Sequence, residues 1–81
     1  MYYVYILKDD NNKLYIGFSS DLKRRISEHR NSKVFTTKKM TNPQLYYYES
    51  YISEDMAKIR ERQLKDFGSS YTGLLKRIGL K

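Results

Sequence analysis

Eighty-one residues predict one small domain, 1–81, near the lower limit of what a hydrophobic core holds together without staples. Cysteine is absent, which excludes disulfides, thiol catalysis and thiolate zinc sites and fits a reducing cytoplasm. Sixteen Lys and Arg against nine Asp and Glu give a formal charge of +7, a balance that favours polyanionic partners, with nucleic acid first among them.

Tyr2 to Leu7 is aromatic, β-branched and apolar at both parities, so it reads as a central strand covered on both faces. It is too short for a secretory h-region and runs straight into Lys8-Asp9-Asp10. No longer apolar run follows, so the expectation is a soluble, unexported, cytoplasmic protein with no membrane span. Lys8 to Asn12 carries turn chemistry, and Leu14 to Phe18 resumes as a second strand to complete a hairpin. A register that pairs Lys8 with Asn12 sets Tyr5 opposite Tyr15 on one face.

Ser19-Ser20-Asp21 offers N-caps for a helix running to about Arg30. Leu22, Arg25, Ile26 and His29 fall on its core stripe, whereas Lys23, Arg24, Ser27, Glu28 and Arg30 fall outside it. Asn31 to Pro43 has no sustained period and reads as a loop. Leu45 to Ile52 is a tyrosine-rich third strand. A second helix starts at Ser53-Glu54-Asp55 and ends at Phe67 before Gly68, with Met56, Leu64 and Phe67 as its buried arc, Ala57 at the edge and Glu61 on the margin. A last helix, capped by Ser69 or Ser70, buries Tyr71, Leu74, Leu75 and Ile78 and stops at Gly79.

Arg25 and His29 are the local anomaly, because two ionisable groups on a core-facing stripe cost several kcal/mol unless something pairs with them. A phosphate would serve, and so would a snorkelling Arg beside a satisfied His. Tyr5 and Tyr15 read equally as cross-strand packing partners among nine tyrosines. A phenol acts as a base only where cations and hydrogen bonds stabilise its ionised form, and Arg25 is placed to provide that field. Glu61 alone reads as an i,i+4 partner of Lys65, and as a single carboxylate it suits magnesium better than calcium. One histidine and no cysteine make a zinc site a poor fit, and no Walker loop, dinucleotide glycine turn or Ser/His/Asp set is present.

Together these residues resemble the GIY-YIG nuclease family, in particular its small single-domain members. Tyr3-Val4-Tyr5 is similar to the first signature and Tyr15-Ile16-Gly17 to the second. Asp21 to His29 is similar to the helix carrying the family's Arg and His, and Arg60 to Lys65 to the segment carrying its metal-binding Glu. The resemblance implies an α+β fold: a three-stranded antiparallel sheet flanked by helices, in the order strand-strand-helix-strand-helix-helix. It implies a phosphodiesterase in which Tyr5 or Tyr15 helps deprotonate water and Arg25 stabilises the transition state. His29 assists proton transfer or holds phosphate, and Glu61 binds one divalent cation, Mg2+ or Mn2+. Gly17 would let the chain turn from strand to helix.

Two positions depart from the family's pattern. Tyr3 stands where the first signature has glycine, and where many members have a later Asn the chain offers Gln63, Asp66, Ser69 and Ser70.

The leading expectation is therefore a metal-dependent DNA endonuclease of low intrinsic sequence specificity. Its phosphate contacts would come from Lys23, Arg24, Arg30, Lys38 and Lys39. The rivals are a non-catalytic nucleic-acid-binding module and a module whose specificity comes from a protein partner.

Overall fold

The computed structural model describes residues 1–31 and 39–80, so Lys38 lies outside the described residues. Three strands and three helices follow one another as β1 (Tyr2–Lys8), β2 (Leu14–Ser19), α1 (Leu22–Arg30), β3 (Gln44–Tyr51), α2 (Glu54–Lys65) and α3 (Ser69–Arg77). The strands form one antiparallel sheet in the order β2-β1-β3, which gives the expected α+β architecture. Val4 to Leu7 are buried at both parities, because β1 is the middle strand and has helices on each side.

The two faces of the sheet carry separate cores. Val4, Ile6 and Ile16 pack with Ala57, Leu64 and Leu74 beneath α2 and α3. Tyr5 and Leu7 pack with Ile26 of α1 on the other side. In β3 the register slips between Ile6 and Leu7, so that Leu7 pairs with Leu45 and Ile6 with Tyr47. This bulge keeps Leu45 on the α1 face and delivers Tyr47, Glu49 and Tyr51 to the α2/α3 face.

The hairpin register differs from the expected one by two residues. Lys8 pairs with Leu14, and Tyr5 lies opposite Gly17, not Tyr15. The cause is the connection, where the Asp9 carboxylate accepts from the backbone N–H groups of Asn11, Lys13 and Thr41 and Asn12 takes a left-handed φ of 64°. That loop is longer than a tight turn. A slip of two preserves parity, so Tyr5 and Tyr15 still share a face, as diagonal neighbours.

Gly17 has a different role from the one expected. It lies inside β2, and a β-carbon there would collide with Cζ and the hydroxyl of Tyr5 and come within 2.8 Å of its Cε2. The glycine is needed so that the Tyr5 ring can cross the edge strand.

Asp21 caps α1, its side chain accepting from the Arg24 N–H at 3.1 Å. The α2 arc departs from expectation: Ala57 and Leu64 are fully buried, whereas Met56 is 59% and Phe67 63% exposed. The helix ends two residues early, at Lys65, and Phe67 itself takes the left-handed conformation (φ 55°), which removes it from the helical face. The cap of α3 is Gly68 without a side-chain bond, in place of Ser69 or Ser70. Its end is as expected: Gly79 turns at φ 84° and the Leu80 N–H donates to the Leu75 carbonyl at 2.8 Å.

Candidate active site

On the α1 face, β1 and β2 present two phenols to the helix. The His29 side chain is 1% exposed and Tyr5 is 0% exposed, and their Nε2 and hydroxyl are 2.8 Å apart. The Tyr15 ring lies 5.1 Å from the His29 ring and 6.3 Å from that of Tyr5, closing a three-ring cluster. Tyr15 is half-buried and so is the phenol of the pair with a path to solvent.

Burial pushes the Tyr5 phenol up to about 12, although a hydrogen bond from Arg25 and its charge act in the opposite sense. The field expected from Arg25 is therefore present, but desolvation outweighs it and Tyr5 keeps its proton. His29 moves the other way: burial first, and then the Arg25 charge, hold it below its ordinary 6.5 against the opposing pull of Glu28. With the phenol protonated and the imidazole neutral, the tautomer with its proton on Nδ1 lets Tyr5 O–H donate to Nε2.

Arg25 is a snorkelling residue at the margin of this cluster. Its NH1 donates to Glu28 Oε1 at 3.1 Å, with the two side chains 36% and 33% exposed. This pair is half in water and single-pronged, so the guanidinium retains donors for another oxyanion.

Glu61 stems from α2, which covers the opposite face of the sheet, yet its charge still acts on the Tyr5 phenol. Its Oε2 also meets Lys65 Nζ at 3.2 Å, the i,i+4 pair expected from the sequence. The Glu61 side chain is 23% exposed. Among the described residues no three His, Cys, Asp or Glu side chains converge as a cage for a metal. The donor set that fits is one partly exposed carboxylate with the remaining positions left to water and phosphate, a pattern suited to magnesium or manganese. Gln63, Asp66, Ser69 and Ser70, which stand in the region of the family's later Asn, are all exposed.

The candidate phosphate contacts on α1, Lys23, Arg24 and Arg30, are exposed on its outer surface, and Lys39 is exposed in the segment before β3. Tyr3, in the position of the signature glycine, is half-buried with its ring set edge-on to Tyr48 at 6.1 Å.

One polar group was not anticipated. Glu49 accepts a two-pronged bond from Arg60, Nε to Oε1 at 2.9 Å and NH2 to Oε2 at 3.0 Å. Tyr51 and Tyr47 donate their hydroxyls to the same carboxylate at 2.5 and 2.7 Å. Burial alone would raise the Glu49 carboxyl, but the Arg60 fork and the two phenols outweigh it and hold it below its ordinary value. The network ties α2 to β3 at the residue preceding Glu61. Its sequence signal is Tyr47, Glu49 and Tyr51 at a spacing of two, which places all three on one strand face.

Fold and cluster together define a nuclease-type domain: a small antiparallel sheet whose paired strands carry tyrosines against a helix bearing Arg and His. A family model for the GIY-YIG catalytic domain matches residues 1–74, and the chain belongs to that family. It is 34% identical over 67 residues to the UPF0213 protein SSP2268 of Staphylococcus saprophyticus subsp. saprophyticus, a match covering 82% of each chain. It is 36% identical over 67 residues to the UPF0213 protein SH2523 of Staphylococcus haemolyticus, again over 82% of each. Among solved structures it is similar to the solution NMR structure of the UPF0213 protein BH0048 from Bacillus halodurans. That match has a TM-score of 0.59 and 26% identity, over 96% of this chain and 85% of the other. Among the described residues no helix is long and apolar enough to cross a membrane.

Proposed function

We propose that the domain is a metal-dependent DNA endonuclease with little intrinsic sequence specificity. The observation that carries this reading is the buried Tyr5–His29 hydrogen bond, set beside a half-exposed Arg25 and within electrostatic reach of Glu61. A core residue would need none of those groups. Hydrolysis of a phosphodiester needs a proton acceptor, a cation at the reacting phosphate and a means of stabilising the leaving oxygen.

Tyr15, the phenol with solvent access, holds the attacking water. The Tyr5–His29 pair is the proton sink: neutral Nε2 takes the Tyr5 proton as the phenol oxygen accepts one from the water side. Arg25 donates to the equatorial oxygens of the phosphate, where charge builds in the transition state. Glu61 would hold the divalent ion, which when bound supplies Lewis-acid stabilisation of the leaving oxygen. Lys23, Arg24 and Arg30, exposed on α1, and Lys39, exposed before β3, would contact phosphates without reading bases. The candidate contacts are Lys and Arg side chains suited to phosphate and not to base edges, which supports low specificity and leaves room for a partner protein to supply it.

The test is nicking of supercoiled plasmid with magnesium or manganese by purified wild type, Arg25→Ala and Glu61→Ala. The reading requires nicking by wild type and its loss in both variants. Equal nicking by all three would overturn it, and so would phosphate-dependent DNA binding with no nicking under any metal, which would favour a binding module.

A further inference from the structure

We infer that a second, aromatic cavity beside the candidate active site takes a nucleobase, so that the substrate is a strand with an unpaired nucleotide next to the bond to be cut. The inference rests on the nuclease reading for its placement and concerns a different set of side chains. The cavity has a volume of about 320 Å3 and is lined by Leu14, Tyr15, Ile16, Lys65, Phe67 and Tyr71. That volume is at the lower end of small-ligand sites, ~300–1,000 Å3.

Its two ends lead back to the site. Tyr15 belongs to the three-ring cluster with Tyr5 and His29, and the ammonium of Lys65 sits 3.2 Å from the Glu61 carboxylate. A phosphate held at Arg25 and Tyr15 would therefore present its neighbouring nucleoside to this opening. The walls suit a flat π-faced ring: Leu14 and Ile16 give an apolar floor, while Phe67 and Tyr71 stand edge to face, centroids 4.9 Å apart at 90°. Lys65 adds the charge that complements a phosphate at the rim.

Phe67 is the most telling residue. It adopts a left-handed φ of 55° although Gly68, which would do so at little cost, is its neighbour, and its side chain remains 63% exposed. A bulky residue in that conformation gains little from burial here, so the backbone bears a cost that displays an aromatic face at the mouth of the cavity. The polar groups among the six are two tyrosine hydroxyls and the Lys65 ammonium, with no Asn, Gln or Arg to make a two-pronged contact to a base edge, so the pocket accepts any base by stacking. A base drawn from an intact duplex would first have to leave its stack, which makes gapped, frayed, mismatched or single-stranded DNA the preferred class.

The probe is a short single-stranded oligonucleotide carrying 2-aminopurine, whose fluorescence is quenched by stacking, added to the full chain bearing Glu61→Gln so that no turnover intervenes. Binding should quench the probe. Adding Phe67→Ala should abolish the quench and weaken affinity roughly five- to a hundredfold, whereas Phe67→Trp should retain both. The same probe paired in an intact duplex should quench less. Because Phe67 is exposed and strained, the alanine variant should keep the parent's circular dichroism spectrum, and that spectrum is measured alongside. Parent-like quenching and affinity in a folded Phe67→Ala protein would overturn the pocket and leave the cleavage reading intact. Phe67-dependent quenching, together with wild-type protein that nicks no plasmid with magnesium or manganese, would do the reverse.

Discussion

The two faces of the sheet each hold an arginine, a glutamate and a pair of tyrosines, and they commit them differently. On the α2/α3 face Arg60 makes two bonds to Glu49, both phenols donate to the same carboxylate, and the side chains of the ion pair are 22% and 15% exposed. On the α1 face Arg25 makes one 3.1 Å contact with Glu28 at 36% and 33% exposure, and the buried phenol is joined to an imidazole. The first arrangement fills the carboxylate's acceptor sites and has nothing left to offer a substrate. The second leaves a cation with spare donors beside a proton-accepting pair. Similar side chains become a structural clamp in one place and a candidate site in the other, and what separates them is how fully they are satisfied.

The largest expected effect breaks the comparison directly. Arg25→Ala should lower the single-turnover nicking rate by roughly 10²–10³-fold while changing stability by less than ~1 kcal/mol, since the pair it loses is half-exposed. Arg60→Ala should do the opposite, costing about 2–3 kcal/mol in urea unfolding because it strands the Glu49 carboxylate. If the stability losses came out equal, the distinction between committed and available arginines would be wrong.

The clamp also has a pH signature. Glu49 is held below its ordinary 4.5, so its stabilisation is complete at neutral pH, begins to fade as pH drops past that value, and is lost as pH falls through the lower folded-state value. A Glu49→Gln protein should be less stable than wild type at pH 7, and the gap should close in acid unfolding curves.

A smaller effect probes how the α1 face is built. Gly17→Ala should cost about 1–3 kcal/mol, because the Tyr5 ring must move off β2 to admit a methyl group, and nicking should fall with it. Tyr5→Leu combined with Gly17→Ala should recover part of the stability and none of the activity. Full nicking by a folded Gly17→Ala protein would show that the Tyr5 position is not required.

The smallest effect sharpens the exposed surface. Arg30→Ala should weaken DNA binding similarly for all sequences and reduce the slope of log affinity against log salt by about 1. An unchanged slope would remove Arg30 from the phosphate contacts.

Much of this molecule was legible because it depends on local periodicity. The order of elements, the central position of β1, the Asp21 cap, the Gly79 stop and the shared face of Tyr5 and Tyr15 all follow from parity, helical spacing and turn chemistry. These survive errors of detail, and a two-residue register slip leaves a strand's faces unchanged. The polar interruption of the α1 stripe at Arg25 and His29 was likewise visible in one dimension.

Other features had no local signature. The hairpin register was set by the Asp9 carboxylate gathering three backbone N–H groups, one of them from distant Thr41. Gly17 was visible as a glycine, but its reason, the ring of Tyr5 lying across it, required the paired strands. Phe67 left the expected core because α2 ends at Lys65 and the chain turns left-handed at Phe67 in place of Gly68, and Met56 left it because the buried arc of α2 runs through Ala57 and Leu64. The rise of the Tyr5 phenol to about 12 came from burial, a sum over neighbours that no spacing encodes. Sequence by itself determined which residues could carry chemistry and on which element faces they lie. Only the tertiary structure decided which of them are satisfied, because desolvation and hydrogen-bond partners are properties of packed neighbours and not of chain order.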